Sequence, residues 1–125
     1  MNLLAIDYGT KHLGLAYSIF GIISTLPAVK NDDNLFTNLK DIVIKYSIDK
    51  VYVGLSEGKV AALTLEFVAR LKDMLKLPVE TIEEAVSTIE ATEIYYQNRK
   101  KQKDYKKLVD SVSAAVILRR VINFS

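Results

Sequence analysis

The chain contains no cysteine and a single histidine, His12, among its 125 residues. The absence of cysteine excludes disulfides and thiolate metal sites, and it is compatible with a reducing compartment. One histidine argues against a histidine-rich zinc site. No apolar run approaches the roughly 18 residues of a membrane span, and the N-terminus lacks the pattern of a secretory signal. We therefore expect a cytoplasmic protein without a membrane partner.

The chain also has little excess charge, with a net value of +2 at pH 7. This balance neither demands nor excludes a nucleic-acid partner, so the distribution of the charges matters more than their sum. Half of the residues are hydrophobic, which at this length is enough for one compact core. We expect residues 1–125 to form a single domain.

Two kinds of apolar periodicity divide the chain into strands and helices. Short apolar or alternating runs predict strands at 2–7, 12–20, 22–29, 50–55 and 78–82. Apolar residues at helical spacing predict helices at 35–46, 60–75, 87–101 and 108–122. Pro27 favours a sheet edge for the third strand, and the cluster "NDDN" at 31–34 provides helix-capping side chains. The order predicts an α/β fold, a mixed five-stranded sheet with helices packed on it.

The first strand, in "LLAIDYGTKHLG", ends in an acid, Asp7, directly after an apolar run. A carboxylate in such a place needs a hydrogen-bonding network, a cation or a metal, because an unpaired buried charge is costly. Glu83 and Glu84 follow the fifth predicted strand, and Asp110 lies on the last helix, on the face of apolar residues that should point at the sheet. Three acids at one sheet edge would suit Mg²⁺ or Mn²⁺, and two such ions about 4 Å apart can support phosphodiester hydrolysis.

Each acid also has a purely structural interpretation. Asp7 could accept hydrogen bonds from the turn amides of Gly9 and Thr10. Asp110 could cap its helix or favour the positive helix end, and Glu83 and Glu84 could be surface acids. The sequence does not decide between Glu83 and Glu84 as the third ligand, because strand alternation is loosened at a strand end.

The strongest local charge is the segment "RKKQKDYKK" at 99–107, which holds six cations against one aspartate. Its residues Arg99, Lys100, Lys101 and Lys103 could follow a phosphate backbone, with a nearby tyrosine as a stacking surface. A solvated linker is the alternative interpretation. The segment immediately precedes the helix that carries Asp110, so a strand bound there would lie near the predicted metal ligands.

Four stretches, "AIDYGTKHLGLAYS", "GIISTLP", "VYVGL" and "KKLVDSVSAAVIL", resemble in order and spacing the YqgF family, also called RuvX. The resemblance covers nearly the whole chain. It implies an RNase H-like fold and nuclease activity dependent on Mg²⁺ or Mn²⁺, with precursor 16S ribosomal RNA or branched DNA as substrate. By position it assigns the catalytic and metal-binding acids to Asp7, Glu84 and Asp110, and substrate binding to Thr10 and Lys11.

The sequence departs from the family pattern at several positions. Ala85 replaces an arginine that would contact phosphate or carboxylate, His12 replaces another arginine, and the loop after Gly54 is short, with Ser56 in place of a proline. These changes favour a second hypothesis, a nucleic-acid-binding or ribosome-assembly factor with weak or no turnover.

A third hypothesis starts from "IDYGTKHLG", which is also similar to the first phosphate loop of actin-like and sugar-kinase ATPases. Those enzymes close a nucleotide cleft between two domains, whereas this chain supplies only one. The oligomeric state stays open, with a homodimer among the options.

Overall fold

The computed structural model describes residues 1–55, 59–83 and 105–123. Its elements follow the order β1 (Leu3–Asp7), β2 (His12–Ile19), β3 (Ile22–Lys30), α1 (Leu35–Lys45), β4 (Lys50–Leu55), α2 (Lys59–Leu75), β5 (Val79–Glu83) and α3 (Tyr105–Asn123). The five predicted strands are confirmed to within one or two residues. Three of the four predicted helices are also confirmed, and the fourth, at 87–101, lies outside the described residues.

The strands form one sheet in the order β3-β2-β1-β4-β5. The pairs β1–β2 and β2–β3 are antiparallel, whereas β1–β4 and β4–β5 are parallel. The carboxyl ends of β1, β3, β4 and β5 therefore meet at one edge of the sheet. Pro27 lies exposed in β3 at the end of the strand order, as its missing N–H predicts.

The sheet is covered on both faces, which gives an α/β fold with a mixed sheet. Side chains alternate along β1: Leu4 and Ile6 pack into the core with α1 and α2, whereas Ala5 packs into a second core with α3. The α3 core contains small residues, including Ala114 and Ala115. Small side chains allow the helix to lie close to the strands.

The prediction that "NDDN" caps α1 is wrong in its side-chain chemistry. Asn34 occupies the N-cap position of α1 without a side-chain cap hydrogen bond. Instead, its backbone N–H donates to the Asp32 carboxylate at 2.9 Å, which is a local turn of the kind that aspartate favours. The first residue of the cluster, Asn31, contacts a different part of the chain, described below.

The hairpin between β2 and β3 has a two-residue turn, Phe20 and Gly21, both with positive φ. Turns with this backbone match the twist of antiparallel strands. Among the helices of the described ranges, none has the length and apolar character needed to cross a membrane.

Candidate functional site

Asp7 lies at the end of β1, on the face of the sheet that α3 covers. The three residues before it are fully buried, and Asp7 itself is half-buried. In the sheet register Asp7 pairs with Gly14 of β2 and Gly54 of β4. Paired residues share a face of the sheet, so the two strand positions directly opposite Asp7 carry no side chain. The space there is bounded by α3.

Gly54 also determines how closely α3 approaches Asp7. A Cβ atom at this position would lie 2.6 Å from Cδ1 of Ile117, well inside the usual carbon separation of about 3.5–4.0 Å. Glycine is therefore required for the observed packing. Ile117 lies two helical turns, about 10 Å, after Asp110 along α3. The helix that carries Asp110 is thus fixed against the sheet next to Asp7.

The other predicted acids are described only in part. Glu83 is the last residue of β5 and pairs with Leu55, one position beyond the pair of Gly54 with Ile82. The backbone at Asp110 belongs to α3, whereas its side chain lies outside the described part of the structure. The prediction for Glu84 falls outside the described residues, as do those for Arg99, Lys100, Lys101 and Lys103.

In residues 1–55, 59–83 and 105–123, no group of three or more acidic or metal-ligating side chains is close enough to hold a metal ion. Among the predicted ligands, Asp7 is the one whose side chain belongs to the described part of the structure. The convergence of the three acids therefore stays a prediction.

The turn after Asp7 is held by a residue that sequence reasoning missed, Asn31. Its side-chain amide donates to the carbonyl oxygen of Gly9 at 3.0 Å and to the Tyr8 hydroxyl at 3.2 Å. Its backbone N–H donates to the carbonyl oxygen of Lys11 at 2.8 Å. The turn has no room for a side chain at Gly9, because a Cβ there would overlap the carbonyl oxygen of His12. Thr10 and Lys11 are consequently presented on a fixed backbone, both exposed.

An ion pair lies at the opposite edge of the sheet, where β4 begins. Lys50 Nζ is 3.1 Å from Glu80 Oε1 and lies over the ring of Tyr52. The hydrogen bond with Glu80, and then that with Tyr52, raises the pKa of Lys50. Because this pair is distant from Asp7, we assign it to stability.

Comparison with known proteins places this geometry in a family. The family profile described as RuvX, Holliday junction resolvase, matches residues 1–123. A relative from Sulfurihydrogenibium sp. (strain YO3AOP1), named "Putative pre-16S rRNA nuclease", is 34% identical over 132 residues, which cover 98% of this chain and 90% of the relative.

Two resolvases are among the solved structures that share this fold. Thermus thermophilus RuvC has a TM-score of 0.66 at 15% identity, covering 98% of this chain and 97% of RuvC. The fowlpox virus resolvase in complex with Holliday junction DNA has a TM-score of 0.59 at 13% identity, covering 98% and 99% of the two chains. The likeness defines an RNase H-like fold. The chain belongs to the RuvX family, which confirms the family resemblance found in the sequence.

Proposed function

We propose that this protein is a metal-dependent nuclease that hydrolyses phosphodiester bonds in precursor 16S ribosomal RNA, with branched DNA as a further substrate. The observation that carries the proposal is the position of Asp7. A half-buried acid ends the central strand at the sheet edge where α/β folds bind ligands. The names of the relatives, and the Holliday junction complex of a resolvase with this fold, support a nucleic-acid substrate.

The surroundings of Asp7 fit a hard divalent cation. Mg²⁺ and Mn²⁺ prefer carboxylate oxygens and retain water ligands, so their sites need both acids and free space. Asp7 offers such a carboxylate at the sheet edge; the residues paired with it, Gly14 and Gly54, add no side chain of their own on the α3 face, where Ile117 packs over Gly54. We assign Asp7, Glu84 and Asp110 as the residues that would hold the ion.

The choice of Glu84 over Glu83 follows from the position that the family resemblance gives to Glu84. The end of β5 lies at the same sheet edge as Asp7, because Ile82 packs into the core with α3 and pairs with Gly54, which in turn pairs with Asp7.

In this proposal, the acidic residues bind the metal ion and the basic and hydroxyl residues bind the substrate. A bound divalent ion would neutralise phosphate charge and activate water for attack on phosphorus. Asp7, Glu84 and Asp110 supply the negative charge that retains the ion. Thr10 and Lys11 orient the scissile phosphate from the turn that Asn31 holds, and Arg99, Lys100, Lys101 and Lys103 bind the backbone of the strand.

The test compares Asp7→Asn with Asp41→Asn, a matched control because Asp41 is exposed on α1. Labelled precursor-rRNA fragments and a four-way DNA junction are incubated with Mg²⁺, Mn²⁺ or chelator. The unmodified protein and Asp41→Asn should cleave only with metal, and Asp7→Asn should lose cleavage while it remains folded. Glu84→Gln should share that loss and Glu83→Gln should not.

Retained cleavage by Asp7→Asn would refute the site. Salt-sensitive binding without cleavage by any variant would instead favour the alternative function, a binding or assembly factor. The replacement of the family arginine by Ala85 is the observation that favours this alternative.

A further inference from the structure

The end of β3 brings Lys30 to the edge of the sheet where Asp7 lies, next to two other basic residues. Lys30 pairs directly with His12 of β2, and Lys11 precedes His12 in the turn. All three side chains are exposed. Residues opposed in this way have Cβ atoms about 5 Å apart. The two lysines and the imidazole N–H of His12 therefore offer several hydrogen-bond donors to one anion.

A β-bulge places Lys30 on the same face of the sheet as Asp7. Leu13 pairs with Val29, and Leu15 pairs with Leu26, so β3 has one extra residue between these pairs. Val29 and Leu26 both pack against the core with α1 and α2. Alternation then turns Lys30 and His12 to the α3 face, two residues along β2 from the Gly14 that pairs with Asp7. That separation is about 7 Å.

The position of these cations is fixed by the hydrogen bonds of Asn31. This residue directly follows Lys30 and joins the end of β3 to the turn that carries Lys11. Tyr8, which accepts one of these bonds, packs its ring on Phe67 with centroids 4.9 Å apart. The basic residues therefore stand on a backbone that is ordered before any ligand binds.

In the described part of the structure, the two acids that follow in the chain form no ion pair with these basic residues. Asp32 and Asp33 follow in the chain and are exposed. The Asp32 carboxylate accepts the backbone N–H of Asn34 and so belongs to the turn that begins α1.

We propose that Lys11, His12 and Lys30 form one phosphate-binding surface, the cationic corner, which receives the backbone of a nucleic-acid strand whose scissile bond lies at Asp7. The proposal rests on the proposed function for the nature of the ligand. It adds Lys30 and His12 to the substrate contacts. It also predicts that the nucleic-acid strand reaches Asp7 across the end of the β2–β3 pair that lies at this edge of the sheet.

The test measures binding of a labelled single-stranded RNA and of a four-way DNA junction in chelator, as a function of salt. Lys30→Gln is compared with Lys76→Gln, whose exposed lysine lies before β5 at the opposite sheet edge. One phosphate contact on a single strand contributes about 0.7 to the slope of log affinity against log salt. Lys30→Gln should lower the slope by about 0.7 and weaken binding about fivefold at about 0.1 M salt. Lys76→Gln should leave the slope unchanged.

The outcomes separate this inference from the proposed function. If the unmodified protein binds and cleaves but Lys30→Gln retains the full slope, the cationic corner is refuted and the nuclease stands. If Lys30→Gln lowers the slope but Mg²⁺ and Mn²⁺ give no cleavage, the corner stands and the nuclease is refuted. If Lys30→Gln and Lys76→Gln lowered the slope equally, the effect would come from the net charge of the protein and not from the position of Lys30, and the cationic corner would be refuted.

Discussion

Replacement of Gly54 by alanine tests the packing that joins the sheet to the helix carrying Asp110. The new Cβ would lie 2.6 Å from Ile117 Cδ1, about 1 Å inside normal contact. Overpacking of this size costs about 1–3 kcal/mol, and replacing a strand glycine returns about 0.5–1 kcal/mol. The difference between these two ranges is about 0–2.5 kcal/mol, so we expect Gly54→Ala to lower the free energy of unfolding by about 1 kcal/mol, measured by urea denaturation followed by circular dichroism.

A second substitution identifies the atom responsible. Ile117→Val removes Cδ1 and leaves the Cγ1 position, which is 3.6 Å from the new Cβ and so in ordinary contact. Alone it should cost about 0.5–1.5 kcal/mol. In the Gly54→Ala background it should restore stability, which gives a coupling of at least about 1 kcal/mol in a double-mutant cycle. The control is Ile48→Val, the same chemical change in the core on the other face of the sheet, which should add independently.

The same cycle has a functional arm, because α3 carries Asp110. Displacement of the helix by Gly54→Ala should reduce metal-dependent cleavage, and Ile117→Val should recover it. Additive losses of stability in the double variant, or an unchanged stability of Gly54→Ala, would refute the argument that this glycine sets the position of α3.

Two further predictions concern the turn and the ion pair. Asn31→Ala removes two side-chain hydrogen bonds worth about 1 kcal/mol each; thermal unfolding should show a loss of about 1–2 kcal/mol, and an unchanged melting temperature would contradict the bracing role. Glu80→Gln removes the main cause of the raised pKa of Lys50. A raised lysine pKa stabilises the fold below the unfolded value of about 10.4 and ceases to do so as pH rises through the folded value. The urea midpoints of the unmodified protein and Glu80→Gln should therefore differ at about pH 8 and converge as the pH rises through the raised pKa of Lys50; a constant difference would exclude Lys50 as its source.

Local pattern predicted most of the secondary structure because each signal lay within its own element. The helical spacing of Leu35 and Leu39 identified α1, and the missing N–H of Pro27 placed β3 at the sheet edge. The capping interpretation of "NDDN" failed because the first residue of this cluster forms its hydrogen bonds outside its own element. Asn31 makes its side-chain bonds to Tyr8 and Gly9, residues 23 and 22 positions earlier, and no local rule relates these positions.

For the candidate site, the sequence predicts a chemistry that stays a prediction, and it predicts the geometry only in part. An acid after a buried strand identified Asp7, because the cost of burying charge is a property of the local sequence. The orientation of Lys30 could not be predicted, since a regular period of two gives the wrong face unless the bulge in β3 is known. Gly54 lies near the end of a predicted strand, and that position alone does not predict what packs on it. Its contact with Ile117, 63 residues later, depends on how α3 packs.

Topology explains why the acid and the cations meet at one edge. Four of the five strands end there, and β2 begins there. Several strands therefore contribute side chains and turns to this one edge. Asp7 comes from the central strand, whereas Lys11, His12 and Lys30 come from the outer hairpin. In the proposed function, the retention of metal and the binding of phosphate would thus be carried by different strands. A substitution in the hairpin should alter affinity and its salt dependence while the acid remains in place, and a substitution at Asp7 should alter hydrolysis while the cations remain in place.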